Sequence, residues 1–291
     1  MSGHTDVEPV FKTQRRRLLE SYGKSGQEVI AHTIPYHSTG VIVWDFVDVN
    51  ASQVPGVAFA IARRNQNISF FGYGVGEQVF LGGTTMSRAT DAETNQAKGR
   101  STNGAQDYVI EGIGFHNRGL RAQFTGAALT ALAALAVDPT VVSSFNGDTA
   151  MFDPGAIVLP PQAQSPFNLE QALFQAILPY CSIELLFDRK RVEKIGTIDL
   201  MPQAGAQSYL RSNGSPETSN RYRIPEGYLW RKDGMPDSEL EATLVLQRDV
   251  VVPVNQVATW GAVPVNISPT RLWLECVLRL YGLAVDLPSA N

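Results

Sequence analysis

The sequence predicts an all-β chain, a two-sheet sandwich or jelly roll with elaborated loops, and three observations predict it. The first is the alternation that closes the chain. Leu272, Leu274, Cys276, Leu278 and Leu280 hold the even positions, while Arg271, Glu275 and Arg279 share the odd ones with Trp273, Val277 and Tyr281. A period of two puts the even set on one buried face. The charged residues are also spaced four apart, as on an amphipathic helix, but the apolar half of the odd set argues for a strand covered on both sides. The second observation is that similar alternation recurs between Gly, Pro, Asn and Asp clusters, giving roughly eight to ten strands. The third is that only two runs, 125–137 and 168–178, read as helices.

Residues 1–30 form a polar arm. Lys12, Arg15, Arg16 and Arg17 precede Leu18 and Leu19, and Gly23 and Gly26 break any helix. With so little apolar face, the arm is expected to serve assembly rather than the core, so removing residues 1–26 should leave the subunit's stability unchanged. Its basic cluster suits an anionic lipid or nucleic-acid surface, with a solvated helix face as the plainer alternative.

Residues 31–291 read as one domain. The run 40–49 (GVIVWDFVDV) is rich in β-branched and aromatic residues and is followed by a Pro55-Gly56 turn. The stretches GVAFAIA and ISFFGYGVGEQVFLGG supply two or three more strands. In the latter, Gly72, Gly74 and Gly76 suit bends or close backbone approach. A polar excursion follows at 84–106, expected to be exposed or ordered on binding.

Residues 107–124 read as a hairpin turning at HNRG, which places His116 in the turn. In the second helical run Asn168 is the expected N-cap, with Gln171 three residues on and Pro179 as the stop. The strand CSIELLFD and its return through RKRVEKIGTIDLM come next. A second polar excursion occupies 202–238. Residues 239–255 form a long strand or a bent pair, and Pro264 and Pro269 punctuate the approach to the last strand. No internal repeat of 20–50 residues emerges.

Composition narrows the function classes. Charged residues make up 18% of the chain and hydrophobic ones 44%, so part of the surface is expected to meet partners. The net charge of −4 argues against bulk attraction to nucleic acid, and no sequence-specific nucleic-acid partner is expected. Eighteen basic residues are Arg and six are Lys, a bias that suits ion pairs at interfaces and equally follows from a GC-rich genome. Cys181 and Cys276 lie in apolar strand-like runs and read as buried thiols rather than a disulfide. Residues 1–10 are polar, so no secretory signal is expected, and the longest apolar run, Ala127–Val137, falls far short of the ~20 residues a membrane helix needs.

Catalytic hardware is sparse. No Walker loop, dinucleotide fingerprint or Gly-x-Ser-x-Gly elbow is present. His32 and His37 are five apart without a third ligand, so neither metal nor cofactor is expected. The segment RYRIPEGYLWRKDG interleaves basic and aromatic residues. Base or sugar stacking is one reading of it. The preferred one makes Arg221, Tyr228, Trp230 and Arg231 an assembly interface, since Tyr, Trp and Arg are enriched at interface centres. Trp230, flanked by Gly and Pro, is then expected to be dispensable for the fold.

Taken together, the arm with Arg15–Arg17, the long strands at 41–49, 108–124 and 240–254, the excursion at 202–238, the chain length and the closing strand at 271–287 resemble a known family. The chain is similar to the major capsid proteins of tailless icosahedral phages that carry an internal membrane and build shells from upright single β-barrels. The match is to the larger of the two capsid proteins in the thermophilic, Thermus-infecting members. The resemblance implies a jelly-roll barrel with residues 202–238 as an outward turret. It also implies self-association, a smaller second capsid protein, an internal lipid membrane, and residence in the virion after assembly in the host cytoplasm. No enzymatic activity is expected. The competing readings are a carbohydrate- or receptor-binding β-sandwich of a phage spike, and an enzyme.

Overall fold

A computed structural model of the protein describes residues 18–20, 30–32, 36–48, 57–81, 86–103, 106–123, 142–146, 149–152, 166–187, 189–196, 222–230, 239–255 and 271–286. Within them the chain is dominated by strands: β1 (Ile30–His32), β2 (Tyr36–Asp48), β3 (Val57–Ala62), β4 (Asn67–Phe70), β5 (Gln78–Val79), β6 (Ser87–Arg88), β7 (Gln106–Gln123), β8 (Val142–Asn146) and β9 (Thr149–Phe152). After helix α1 (Pro166–Ile177) and a 3-10 turn (Leu178–Tyr180) come β10 (Cys181–Phe187), β11 (Lys190–Gly196), β12 (Tyr222–Trp230), β13 (Leu240–Leu246), β14 (Val250–Asn255) and β15 (Arg271–Asp286).

Two antiparallel sheets make the body, so the all-β expectation holds. The larger runs β14-β3-β2-β15-β7-β9-β8, with β1 paired to the end of β15 and β12 to the start of β7. The smaller runs β11-β10-β13-β4. Their facing side chains form one core: Ile42, Trp44, Ile110, Phe115, Leu274 and Leu278 from the large sheet, and Phe70, Ile183, Leu185 and Leu244 from the small one. Leu173, Phe174 and Ile177 of α1 join it. Strand β13 alternates buried and half-buried along its whole length, as a strand with one face on a core must.

Strand β15 is the spine. It pairs with β2 on one side and with β7 on the other. Its even side chains enter the core, yet on the opposite face Trp273 is 1% exposed and Glu275 3%. Two small apolar clusters cover that outer face. Trp273 packs with Val41 and Leu81 at one end, and Leu283 and Val285 pack with Val109 and Leu18 at the other. The strand is covered on both sides, as its apolar odd positions predict.

Several expectations are corrected. Residues 107–124 are not a hairpin: β7 is a single 18-residue strand along β15. Its register slips at Glu111 and at Arg118, each an extra residue on β7. A bulge shifts the inward phase by one, so Tyr108 and Ile110, then Ile113 and Phe115, then Leu120 all reach the same core. The second excursion contains a strand, β12. Asn168 lies inside α1, which begins at Pro166, and is not its N-cap. Of the two forms expected for residues 239–255, the bent pair is found, and its halves, β13 and β14, belong to different sheets. Both cysteines are free and buried, as expected. The Ala-rich run 125–137 lies outside the described residues.

The arm is also corrected in part. Leu18, in the short helical stretch 18–20, is 7% exposed and seated on Val109, Leu283 and Val285. Removing residues 1–26 therefore takes away a buried side chain. We expect Leu18→Ala to cost about 2 kcal/mol in denaturant unfolding, the low end for a Leu truncation because the cluster is small. An unchanged midpoint would restore the view of the arm as free of the fold.

Candidate functional site

The edge of β2 that faces away from β15 is exposed by the topology, since β3 covers only residues 45–48. An open edge invites pairing with other chains. Here the loops seal it. The Gln66 amide accepts from the Val43 N–H at 2.9 Å and donates to the Val43 carbonyl at 2.8 Å, standing in for a strand. Thr39 N–H donates to the Glu93 carbonyl at 2.8 Å, and His37 N–H donates to Asn95 Oδ1 at 2.9 Å. The excursion at 84–106 is thus a packed edge cover in its described part rather than an exposed loop: Thr94 and Gln96 are fully buried. Gly74 allows this, because a Cβ there would lie 2.7 Å from the Ala97 carbonyl oxygen.

Above this edge, on the outer face of the large sheet, sits a cluster of titratable side chains. Arg118, the bulge residue of β7, donates to Thr39 Oγ1 at 3.0 Å and to Glu93 Oε1 at 2.9 Å, and lies 4.0 Å from Glu275 Oε2. Tyr73 donates its hydroxyl proton to the Thr39 carbonyl at 2.6 Å. One rung along, Arg279 stands opposite His37 on β2 and Gly114 on β7, while Val277 stands opposite Thr39 and His116. The cluster ties the loop to the sheet by charge and hydrogen bonds. Burial pushes the Glu93 carboxyl upward, but hydrogen bonds from Thr90 and Arg118 outweigh it and hold the group below its usual range.

The two histidines are held neutral. Burial is the main cause for His37, partly offset by its Nε2 contact with the Asp91 carbonyl, with Arg279 and Arg118 adding repulsion. His116 lies over Gly114 beside Tyr281, and burial, then the charge of Arg279, lower its pKa to about 4. Between pH 6.5 and about 4 the unfolded chain therefore binds a proton that the folded chain refuses. Stability from this group is complete above pH 6.5 and declines as the pH falls, by up to about 3 kcal/mol. We expect His116→Asn to flatten the fall in unfolding midpoint between pH 7 and 4.5. An equal fall in the variant would contradict the assignment.

Of the sequence-predicted interface residues, Tyr228 and Trp230 are described. Trp230 is fully buried, 5.0 Å from the Tyr36 ring and 6.3 Å from that of Tyr108, and is a core residue rather than an assembly contact. Tyr228 is half-buried. Its hydroxyl donates to Glu193 Oε2 at 2.7 Å, joining the edge strand β12 to the edge strand β11, and burial with that carboxylate pushes its pKa to about 12. Arg221, Arg231, Lys12, Arg15, Arg16 and Arg17 lie outside the described residues. His37, weighed as a metal ligand, faces Arg279 instead. Among the described residues no group of three or more His, Cys, Asp or Glu side chains is placed to hold a metal ion, and no helix is long and apolar enough to cross a membrane.

What sequence reading missed is the outer-face cluster. Its residues come from β2, β7, β15 and the 84–106 loop, and only the pairing register assembles them. The single local signal was charge at the odd positions of β15.

No protein family, curated protein or solved structure matches the chain.

Proposed function

We propose that this protein is a shell-forming structural subunit, the larger capsid protein of a tailless, membrane-containing icosahedral phage, folded as a jelly-roll barrel. The observation that carries the reading is strand order. Taking β2, β4, β7, β10, β11, β12, β13 and β15 as eight strands in sequence, the first, eighth, third and sixth are neighbours in one sheet. The second, seventh, fourth and fifth are neighbours in the other. That interleaving is how a jelly roll wraps two Greek keys, and viral capsid domains are among its users.

The seams of the barrel favour the same role. Tyr228 and Glu193 clasp β12 to β11, and the 84–106 loop covers the edge of β2, so contacts between subunits fall to loops and outer faces. Exposed Phe80 and Met86, on the small β5–β6 flap, are among the apolar side chains offered there. With Trp230 in the core, the basic and aromatic contact set reduces to Arg221, Tyr228 and Arg231. The reading includes self-association, a smaller second capsid protein, an internal membrane, residence in the virion, and no turnover.

One observation favours a second reading, a carbohydrate- or receptor-binding module. An open groove of about 510 Å³ is lined by Ala176, Pro179, Tyr180, Arg248 and Val251, with the Arg248 guanidinium 3.4 Å above the Tyr180 ring. Jelly rolls also serve lectins. Sedimentation velocity over a hundredfold concentration range separates the two. A capsid subunit is expected to form discrete larger species as concentration rises, whereas a binding module stays at one size and shifts only with glycan.

A further inference from the structure

We propose that Arg279, flanked by His37 and His116 on the outer face of the large sheet, anchors a binding site for a phosphate-type oxyanion. Arg279 is exposed, and no carboxylate among the described residues pairs with it. Arg63, Arg100, Arg118, Arg191 and Arg271 each have one, and of the described arginine side chains without one, Arg279 faces a histidine across the ladder. Its neighbours across the sheet are His37 directly opposite on β2 and, one rung away, His116 on β7. Adjacent strands lie ~4.8 Å apart, so one guanidinium and two neutral imidazoles are spread over three strands. That spacing suits a tetrahedral anion with several oxygens better than a planar carboxylate, and the guanidinium fork matches phosphate bidentately.

The surrounding charges leave the position open. Glu93 and Glu275 lie against Arg118, and Asp91 meets His37 through its backbone carbonyl. The charged groups acting on His37 are Arg279, Arg118 and Glu93, and on His116 only Arg279, with Tyr281 packed alongside. An anion on Arg279 reverses the sign of the field at both imidazoles. Binding then takes up protons, and the histidine contribution to affinity rises as pH falls from 6.5 towards 4.

Histidine ring spectra by NMR test this on the full chain, with inorganic phosphate titrated against chloride at constant ionic strength. A second arm uses phosphatidylglycerol against phosphatidylcholine vesicles. We expect phosphate to raise the pKa of His37 and His116 together. Arg279→Gln should raise both without phosphate, by removing the repulsion, and weaken phosphate binding about tenfold or more. Arg88→Gln, on the flap, should change neither. A response to free phosphate assigns a soluble anion, and a response to phosphatidylglycerol alone assigns a lipid headgroup. Either supports the site if Arg279→Gln abolishes it. Silence in both arms, or an undiminished response in Arg279→Gln, overturns it. The inference stands apart from the capsid reading, since neither outcome bears on self-association.

Discussion

Trp230→Ala is expected to destabilise the isolated subunit by about 3–5 kcal/mol, enough to leave much of a marginally stable domain unfolded. The indole fills the space between the two sheets where β12 meets β7, among Tyr36, Phe71 and Tyr108. These rings cannot collapse into the vacated volume. Tyr36 is tied to Gln106 Oε1 at 3.0 Å, and the Tyr108 hydroxyl to the Leu280 carbonyl at 2.9 Å. Trp230→Phe keeps most of the packing and should cost clearly less. Denaturant unfolding of both variants at matched slope provides the check. An alanine variant with the wild-type midpoint but poorer assembly would return Trp230 to the surface.

The second large effect is expected at Gly282. A Cβ there would collide with the Val109 carbonyl oxygen and stand 3.2 Å from the Tyr108 ring. The obstacle is backbone of the neighbouring strand, held between two others, so neither strand can step aside. Gly282 also borders the Glu111 bulge, where the chains approach more closely than a regular ladder allows. We expect Gly282→Ala to cost about 3 kcal/mol. Gly119→Ala lies on the same strand pair with nothing near its added methyl, and should be close to neutral. Equal stability for both variants would show that the ladder is looser there than drawn.

The legible part of the fold was what alternation alone can report. Strand β15 and its two buried faces, β2, β3, the β10–β11 hairpin and the β13–β14 bend follow from period-two patterns and turn residues. The 107–124 segment failed because a bulge and a turn leave the same mark: the apolar phase jumps, and Gly and Asn gather at the jump. Only the partner strand, β15, distinguishes them, by pairing with residues on both sides of Arg118. Trp230 failed for a related reason. Its flanks are polar and rich in Gly and Pro, but burial is decided by the strand it pairs with, and Tyr108 lies more than a hundred residues away in sequence. The outer-face cluster was illegible because His37, Glu93, Arg118 and Arg279 carry no motif spacing. Their proximity is a product of register.

The central claim, that this chain is a shell-forming jelly roll, is tested most directly by electron cryo-microscopy of the purified protein raised in concentration, alone and on phosphatidylglycerol vesicles. The account predicts an ordered layer of repeating subunits, with the two-sheet barrel recognisable in each. Uniform single particles at every concentration, with no ordered layer on the vesicles, would contradict it.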